Sequence, residues 1–360
     1  MASKPFLLVA GARPNFMKVA PIAREFRKRK IHHQLLNTGQ HHDPALSDVF
    51  LRDLGLGKPD YNLGVGSGTH AQTTARVLKR AEPILQKLKP RGVIVVGDVN
   101  STLAMALTAT KLHIPVAHVE AGLRSRDRSM PEETNRILTD MISDMLLTPT
   151  ADADMNLRKE GIPASRIVRV GNVMIDSLVA ALRRFPADSE HGNPDFLLMT
   201  FHRPSNVDSR DGLVRLIAFL KKAAQLLPVQ LPLHPRSCVQ LRKHRLWKSI
   251  TSIPHLHIFK PLGYFDFVNQ MRHATAVVTD SGGIQEETSW LGIPCLIMRT
   301  STERPVCIDH GTAELMSGNY DLALSRIHVI LEGRWKKPKP IPLWDGRAAD
   351  RIVRALASRF

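Results

Sequence analysis

The sequence is poor in cysteine and lacks a long apolar run, and each shortage excludes a class of protein. Its three cysteines, Cys238, Cys295 and Cys307, show neither ligand spacing nor a disulfide framework, so we expect reduced thiols that serve packing. No apolar segment approaches the roughly 20 residues that cross a membrane. The N-terminal FLLVAGA is interpreted as a first strand and not as a signal peptide. These features predict a cytoplasmic protein without membrane contact.

Several motifs of nucleotide and hydrolytic chemistry are also missing. The chain has no GxxxxGK[ST] loop, no GxGxxG after the first strand, no GxSxG and no CxxC, which removes many phosphoryl-transfer, dinucleotide and hydrolase mechanisms. The histidines of QHHD, with His32 and His33 nearby, match no metal-ligand spacing. We therefore expect no metal site.

Acidic residues are outnumbered by basic ones. Thirty-three Asp and Glu stand against fifty Lys and Arg, which gives a formal net charge of +17 and a pI near 10.2. Such a charge can indicate a nucleic-acid partner, a phosphate-rich ligand or a basic solvated surface. The basic residues are scattered over the polar faces and ends of helical segments, without interleaved aromatics or a nucleic-acid-binding module. This distribution favours a solvated surface over a nucleic-acid partner.

What the sequence does contain is a regular alternation of short apolar strands with amphipathic helices. The alternation runs from FLLVA to RIVRVG and restarts near residue 190 with DFLLMTF. It predicts two doubly wound, Rossmann-like α/β domains. We place the first at residues 1–185 and the second at residues 190–340, with RFPADSEHGNP as the linker. A last helix at residues 346–360 is expected to join the first domain.

The ends of the predicted strands carry the residues suited to chemistry. Ligands of open parallel sheets bind beyond the carboxyl ends of the strands, and two such edges facing one another would form a cleft. In the first domain these ends supply Asp98 and Glu120, and Glu132 begins the helix in PEETNR. Several carboxylates at one edge are costly unless they meet a cation or transfer protons, which favours acid/base work. The alternatives are a helix cap for Asp98 and helix-start electrostatics for Glu132 and Glu133.

The second domain offers a different kind of strand end. DSGGIQEE follows the strand AVVTD, and its glycines expose backbone N–H groups at the start of a helix. Because that end of a helix carries partial positive charge, we expect a phosphate-bearing ligand there. His202 and Arg203 follow FLLMTF and suit proton transfer or phosphate binding, although a histidine in this place can equally serve hydrogen bonding alone.

The motifs at the strand ends occur in a recognisable order along nearly the whole chain. From Gly11 to Pro305 they include GARP, TGQH, HVEAGLRS, PEETNR, DSGGIQEE and TERP. In this order they resemble the non-hydrolysing UDP-N-acetylglucosamine 2-epimerases. The resemblance implies a fold like that of the B-type glycosyltransferases (GT-B), a homodimer, and inversion at C2 of UDP-N-acetylglucosamine without a cofactor. It further implies elimination of UDP, a glycal intermediate and re-addition, in the supply of precursors for cell-surface polysaccharides.

The resemblance also assigns residues by position. The acid/base candidates are Asp98, Glu120, Glu132 and His202. The candidates for binding the UDP-sugar are Arg13, Phe267, Ser281, Gly282, Gly283 and Glu287. Among these, Arg13 and the glycine turn would hold the diphosphate, Glu287 the ribose, and Phe267 would lie beside the uracil. A possible second nucleotide site comprises Gln40, Arg203 and His234.

The sequence departs from the family pattern at four positions, where Asn15, Ser205 and Val306 replace acids and Asp43 replaces a glutamine. These departures leave the sugar open. One alternative is a 2-epimerase of a related UDP-sugar such as a UDP-diacetamido uronic acid. An alternative from another class is a basic nucleic-acid-binding protein on the same scaffold.

Overall fold

The protein folds into two compact α/β units in a computed structural model that describes residues 4–39, 51–185 and 195–360. One unit comprises Met1–Val179 with Pro342–Phe360, and the other comprises Ala180–Ile341. Each unit holds a parallel sheet flanked by helices, so the predicted two-domain α/β class is confirmed. Most of the predicted linker, residues 186–194, lies outside the described residues.

The first unit alternates strands and helices through its described part. Its strands are β1 (Phe6–Ala10), β2 (His33–Asn37), β3 (Tyr61–Asn62), β4 (Gly92–Val96), β5 (Val116–Val119), β6 (Met145–Thr148) and β7 (Ile167–Arg169). Its helices are α1 (Arg13–Lys28), α2 (His70–Leu88), α3 (Asn100–Lys111), α4 (Pro131–Ile142), α5 (Ala151–Lys159) and α6 (Val173–Leu182).

The second unit repeats this alternation, and the C-terminal helix returns to the first unit. The strands are β8 (Leu197–Thr200), β9 (Val229–Pro232), β10 (Leu256–Phe259), β11 (Ala276–Thr279), β12 (Cys295–Ile297) and β13 (Ala313–Leu315). The helices are α7 (Pro204–Val207), α8 (Arg210–Ala223), α9 (Pro235–Lys243), α10 (Trp247–Thr251), α11 (Tyr264–Arg272), α12 (Gly283–Leu291), α13 (Pro305–Asp309), α14 (Tyr320–Leu331) and the C-terminal α15 (Ala348–Arg359).

Both sheets share one topology. The first has the order β3-β2-β1-β4-β5-β6-β7 and the second has β10-β9-β8-β11-β12-β13, with parallel pairing throughout. The order reverses beside β1 and beside β8, and ligands of doubly wound sheets bind at such switch points. The strands β1, β4 and β5 are buried along their whole length, which explains why they read as continuous apolar runs.

The C-terminal helix is anchored to the first unit by specific contacts. The backbone N–H groups of Ala348 and Ala349 donate to the carboxylate of Asp176 at 3.0 and 2.8 Å. Burial raises the pKa of Asp176 to about 6. Arg351 donates to the carbonyl of Val170 at 2.7 Å, which adds a second attachment near the start of α15.

Two edge strands, β3 and β13, were not predicted from the sequence. They contain only two and three residues, Tyr-Asn and Ala-Glu-Leu, which is too short for an apolar run to indicate a strand. The expectation of free cysteines is confirmed, since all three are unpaired thiols and two are buried. Among the described helices, none combines the length and apolar character needed to cross a membrane.

Candidate active site

The carboxyl edge of the first sheet is organised by a polar face of α4. Glu133, Asn135, Arg136, Thr139 and Asp140 are all buried on this helix, although buried helix faces are normally apolar. The Glu133 carboxylate accepts from the backbone N–H groups of Ser125 and Arg126, both at 2.9 Å. Burial alone would raise the pKa of Glu133, but these N–H groups and the Arg136 guanidinium hold it below its usual value. The second glutamate of PEETNR therefore fixes the loop after β5.

Asp98 is held at the end of β4 by the same helix. Its Oδ2 accepts from Arg136 Nη2 at 2.6 Å and Nε at 3.0 Å, while its backbone carbonyl accepts from Asn135 at 2.8 Å. The alternative of a helix cap is wrong, because the cap position of α3 is Val99, whose side chain cannot accept a hydrogen bond. About a third of the Asp98 side chain is exposed, so this carboxylate is oriented and still accessible.

Glu120 lies at the end of β5 in a strained conformation. Its φ angle is +71°, a region that residues with a Cβ atom rarely occupy and that is concentrated at functional sites. Its carboxylate forms an ion pair with Lys18 of α1, and both side chains are less than a tenth exposed. The absence of a side chain at Gly97 leaves room for this ion pair, because a Cβ there would lie 3.2 Å from Lys18 Nζ and 3.4 Å from Glu120 Oε2. Asp98 and the carboxylate of Glu120 thus both lie next to Gly97.

Glu132 differs from its neighbour Glu133. Glu132 is partly exposed, and its carboxylate forms neither a hydrogen bond nor an ion pair with the described residues. Of the adjacent acids of PEETNR, one is thus used for structure and the other stays available to a ligand.

Asn15, one of the departures from the family pattern, has a structural role. Its Oδ1 accepts from the backbone N–H groups of Gly11 and Ala12 at 3.2 and 2.9 Å, and its Nδ2 donates to the carbonyl of Val96 at 3.0 Å. A single amide therefore joins the turn after β1 to the end of β4, which an acid could not do because a carboxylate cannot donate. The side chain of the predicted ligand Arg13 lies outside the part of the chain that the structure describes.

A buried cluster of charged side chains lies next to the ends of β4 and β5, which carry Asp98 and Glu120. His118 of β5 contacts Asp140 of α4, with 2.6 Å between Nδ1 and Oδ1. The other oxygen of Asp140 lies 2.7 Å from Arg124 Nη1, and Arg124 also binds Glu160 through two nitrogens. Burial alone would raise the pKa of Asp140, but His118 and Arg124 hold it below its usual value.

The carboxyl edge of the second sheet contains a His-Asp pair. His202 Nδ1 lies 2.8 Å from Asp280 Oδ1, and the fully buried Asp280 also accepts from the backbone of His202 and Arg203 and from Asn206. Burial alone would raise the pKa of Asp280, whereas His202 and these donors keep it below its usual value. The His202 ring is about one third exposed, and its Nδ1 is oriented by a carboxylate, the arrangement that leaves Nε2 for acid/base exchange.

Two residues predicted for a second nucleotide site lie beside this pair. The rings of His202 and His234 have their centroids 5.2 Å apart, and Arg203 Nε donates to the carbonyl of Asp280 at 3.2 Å. His234 is also the N-cap of α9, where its Nδ1 accepts from the backbone of Arg236. The structure thus brings Arg203 and His234 together with His202, while Gln40 lies outside the described residues.

The turn Ser281-Gly282-Gly283 opens α12 as the sequence predicts. A Cβ at Gly282 would lie 2.8 Å from Glu303 Oε1 and 3.0 Å from Arg304 Nη1, so this glycine is required by close packing. A Cβ at Gly283 would meet no atom of the described residues within 4 Å. The space that a Gly283 side chain would fill is therefore open at the N-terminus of a helix, which leaves room for an anionic group.

Buried ion pairs pack against the glycine turn at residues 281–283. Arg304 pairs with Glu303 and with Glu286, the latter at 2.8 Å, and Arg299 pairs with Glu303 at 3.0 Å. Gln285 connects this support to the turn itself, since its Nε2 donates to the carbonyl of Ser281 at 3.2 Å. These partners rigidify the glycine turn before any ligand binds.

Glu287, the predicted ribose ligand, is buried against Tyr264. The Tyr264 hydroxyl donates to Glu287 Oε1 at 2.8 Å. Burial raises the pKa of Glu287 to about 8; the Tyr264 hydrogen bond offsets part of this rise, and the charge of Glu286 adds a smaller increase. Phe267, the predicted neighbour of the uracil, lies three residues after Tyr264 on α11 and is partly buried.

Several supporting residues were missed by sequence reasoning, namely Lys18, Arg136, Asp140 and Asn206. The available signal was a charged or polar residue at a helix position that should face the core. The described residues contain no cluster of three or more His, Cys, Asp or Glu side chains suited to hold a metal ion.

Comparisons with known proteins agree on one family. The family model described as UDP-N-acetylglucosamine 2-epimerase matches residues 24–357. The chain is 37% identical to the UDP-N-acetylglucosamine 2-epimerase of Methanocaldococcus jannaschii, over 97% of this chain and 98% of that protein. It is 38% identical to the UDP-2,3-diacetamido-2,3-dideoxy-D-glucuronate 2-epimerase of Pseudomonas aeruginosa, over 98% and 99%.

A solved structure gives the same result at the level of the fold. The crystal structure of the Methanocaldococcus jannaschii UDP-GlcNAc 2-epimerase in complex with UDP-GlcNAc and UDP superposes with a TM-score of 0.89 at 36% identity, covering 98% of this chain and 99% of that one. The resemblance seen in the motifs is therefore confirmed over the full length. The chain belongs to the UDP-N-acetylglucosamine 2-epimerase family.

Proposed function

We propose that the protein is an isomerase that inverts C2 of UDP-N-acetylglucosamine to give UDP-N-acetylmannosamine. The observation that carries the proposal is the full-length identity of 37% to a UDP-N-acetylglucosamine 2-epimerase, joined to two carboxylates held beside one glycine turn. Carboxylates fixed by cations at the end of a sheet suit proton transfer at a carbon atom. The proposed setting is precursor synthesis for cell-surface polysaccharides by a cytoplasmic homodimer.

The proposed reaction is an elimination followed by a re-addition. A base removes the proton from C2 while the C1–O bond to UDP breaks, and the electron pair of the C2–H bond forms a C1=C2 double bond. UDP then adds back at C1, and a proton reaches C2 from the opposite face. Asp98, Glu120, Glu132 and His202 are the proposed acid/base groups, because proton transfer on two faces needs more than one.

We assign the UDP moiety to the second unit. Gly283 offers bare N–H groups at the start of α12 for the diphosphate. Glu287 is proposed to meet the ribose and Phe267 the uracil. Because the Glu287 pKa is near 8, its carboxyl is largely protonated at neutral pH and can donate as well as accept a hydrogen bond.

Solvent deuterium exchange tests the proposal directly. The purified protein, with EDTA and without NAD, is incubated with UDP-N-acetylglucosamine in D₂O and followed by NMR. We expect deuterium at C2 and the appearance of UDP-N-acetylmannosamine. Absence of exchange with both this sugar and its diacetamido relatives would contradict an epimerase function.

A second candidate substrate is a UDP-2,3-diacetamido uronic acid. The relative from Pseudomonas aeruginosa that acts on such a sugar by name is as similar to this chain as the one from Methanocaldococcus jannaschii, at 38% and 37% identity. Competition between the two UDP-sugars in one NMR tube decides between them. The sugar whose C2 exchanges at the higher kcat/KM is the substrate.

A further inference from the structure

We propose that His118 is a charged positioning residue, held as an imidazolium by Asp140, that fixes the chain segments carrying Asp98 and Glu120. The inference rests on the proposed function, because the orientation of these two carboxylates matters for proton transfer at the sugar. His118 is completely buried in the middle of the first sheet, paired with Val95 of β4 on one side and Leu146 of β6 on the other.

The charge of His118 follows from its two hydrogen bonds. Nδ1 lies 2.6 Å from Asp140 Oδ1, and Nε2 lies 2.8 Å from the carbonyl oxygen of Gly97. A neutral imidazole carries hydrogen on one nitrogen only, so one of these contacts would place two lone pairs against each other. A carbonyl oxygen can only accept, and the Asp140 carboxylate is kept ionised independently of His118, because its Oδ2 faces Arg124 Nη1 at 2.7 Å and the Gly122 N–H at 3.1 Å. Both ring nitrogens must therefore carry hydrogen.

The surrounding charges can accommodate a positive His118. The cluster holds two acids, Asp140 and Glu160, and Arg124 as a second cation beside His118. With a charged histidine the cluster is neutral, and with a neutral one it carries a net negative charge. The side chains of Asp140, His118 and Arg124 are at most 2% exposed, whereas Glu160 is about a third exposed, so solvent screens part of its charge.

This cluster holds the backbone directly before Asp98 and on both sides of Glu120. The Gly97 carbonyl belongs to the peptide group that supplies the nitrogen of Asp98, so the bond from His118 orients the start of that residue. Glu120 lies between His118 and Gly122, and the Gly122 N–H donates to Asp140 Oδ2 at 3.1 Å. Asp140 thereby restrains residues on both sides of Glu120, whose positive φ needs such support.

Nitrogen-15 NMR tests the charge without any assay of activity. Protein labelled at its histidine rings is recorded at about pH 8, above the value of roughly 6.5 at which an ordinary histidine loses its proton. We expect one ring with both nitrogens protonated, and its signals should vanish in His118→Gln. If the ring whose signals vanish in His118→Gln carries hydrogen on only one nitrogen, the inference fails.

Kinetics test the positioning role. The glutamine of His118→Gln can reach one of the two acceptors but not both. We expect kcat for C2 exchange to fall by roughly 10- to 100-fold, as for small misplacements of reacting groups. The KM and the affinity for UDP should stay within about twofold, because the proposed UDP residues other than Arg13 lie in the other unit. The control His328→Gln changes an exposed histidine of α14 and should leave kcat unchanged.

The two proposals fail in different ways. An active wild type combined with full kcat in His118→Gln overturns the positioning role alone, whereas a wild type that exchanges no UDP-sugar overturns the proposed function. Should His118→Gln not fold, Asp140→Asn replaces it, since it removes the charge that holds the imidazolium and keeps the shape. The expected result for Asp140→Asn is the same loss of kcat together with loss of the doubly protonated ring signal, and retention of both overturns the inference.

Discussion

The two sheets share one strand order, apart from the additional β7 of the first, but different residues lie at their carboxyl edges. The first edge consists of side chains in ion pairs, with Asp98 bound to Arg136 and Glu120 bound to Lys18. The second edge also has an ion pair, His202 with Asp280, but its glycine turn leaves open space at Gly283, and the Arg304–Glu286 pair lies next to that turn. Proton transfer needs ionisable groups in fixed positions, whereas binding of a diphosphate needs N–H groups and room. One strand order therefore supports two kinds of chemistry, because the residues at the strand ends differ between the two sheets.

The largest expected effect is the loss of a carboxylate from the first edge. In Glu120→Gln we expect C2 exchange to fall by about 10²- to 10⁴-fold, the range typical of a missing acid/base group. The affinity for UDP, measured by calorimetry, should be unchanged. The double variant with Lys18→Met serves as the control, because it removes the lysine that Glu120→Gln leaves buried without its carboxylate. If the single variant keeps wild-type exchange, Glu120 does not take part in proton transfer.

A matched pair of glycine variants tests the second edge. Gly283→Ala adds a methyl group where no described atom lies within 4 Å, so the free energy of unfolding should hardly change. If the diphosphate occupies that space, the affinity for UDP should drop by roughly 10- to 100-fold, since charge-assisted hydrogen bonds are lost. Gly282→Ala should instead destabilise the fold, because its methyl group would press on Glu303 and Arg304. Equal UDP affinity in Gly283→Ala and wild type would exclude the turn as the diphosphate site.

The last expected effect, the smallest when it is expressed per pH unit, concerns the pH dependence of stability. Burial raises the pKa of Glu287 from 4.5 to about 8, so the folded protein retains a proton that the unfolded chain releases. The free energy of unfolding should therefore decrease as pH rises from about 4.5 to about 8, by at most ~1.4 kcal/mol per pH unit. Glu287→Gln should show a smaller decrease in urea titrations, since only Asp176 among the described acids with raised pKa then remains, while Glu314→Gln, at a partly exposed glutamate, should keep the full decrease. Parallel curves for wild type and Glu287→Gln would show that Glu287 is ionised in the fold.

The residues of PEETNR show how far sequence reasoning could reach. The motif placed Glu132 and Glu133 at the start of a helix, and that position is correct. Only the fold separates their roles, because Glu133 turns inward to the 125–126 backbone and Glu132 stays partly exposed. The same limit applies to Lys18, because nothing in the sequence distinguishes it from the other basic residues. Only the fold shows that α1 places it against Glu120.

The sequence by itself determined the alternation of strands and helices, the glycine turn at residues 281–283 and the family to which the chain belongs. These follow from local patterns, since a buried parallel strand needs a short apolar run and a helix start needs particular residues. Tertiary structure alone decided which charges meet. His118 and Asp140 are 22 residues apart in the chain, and whether a histidine is charged depends on the atoms that face it after folding.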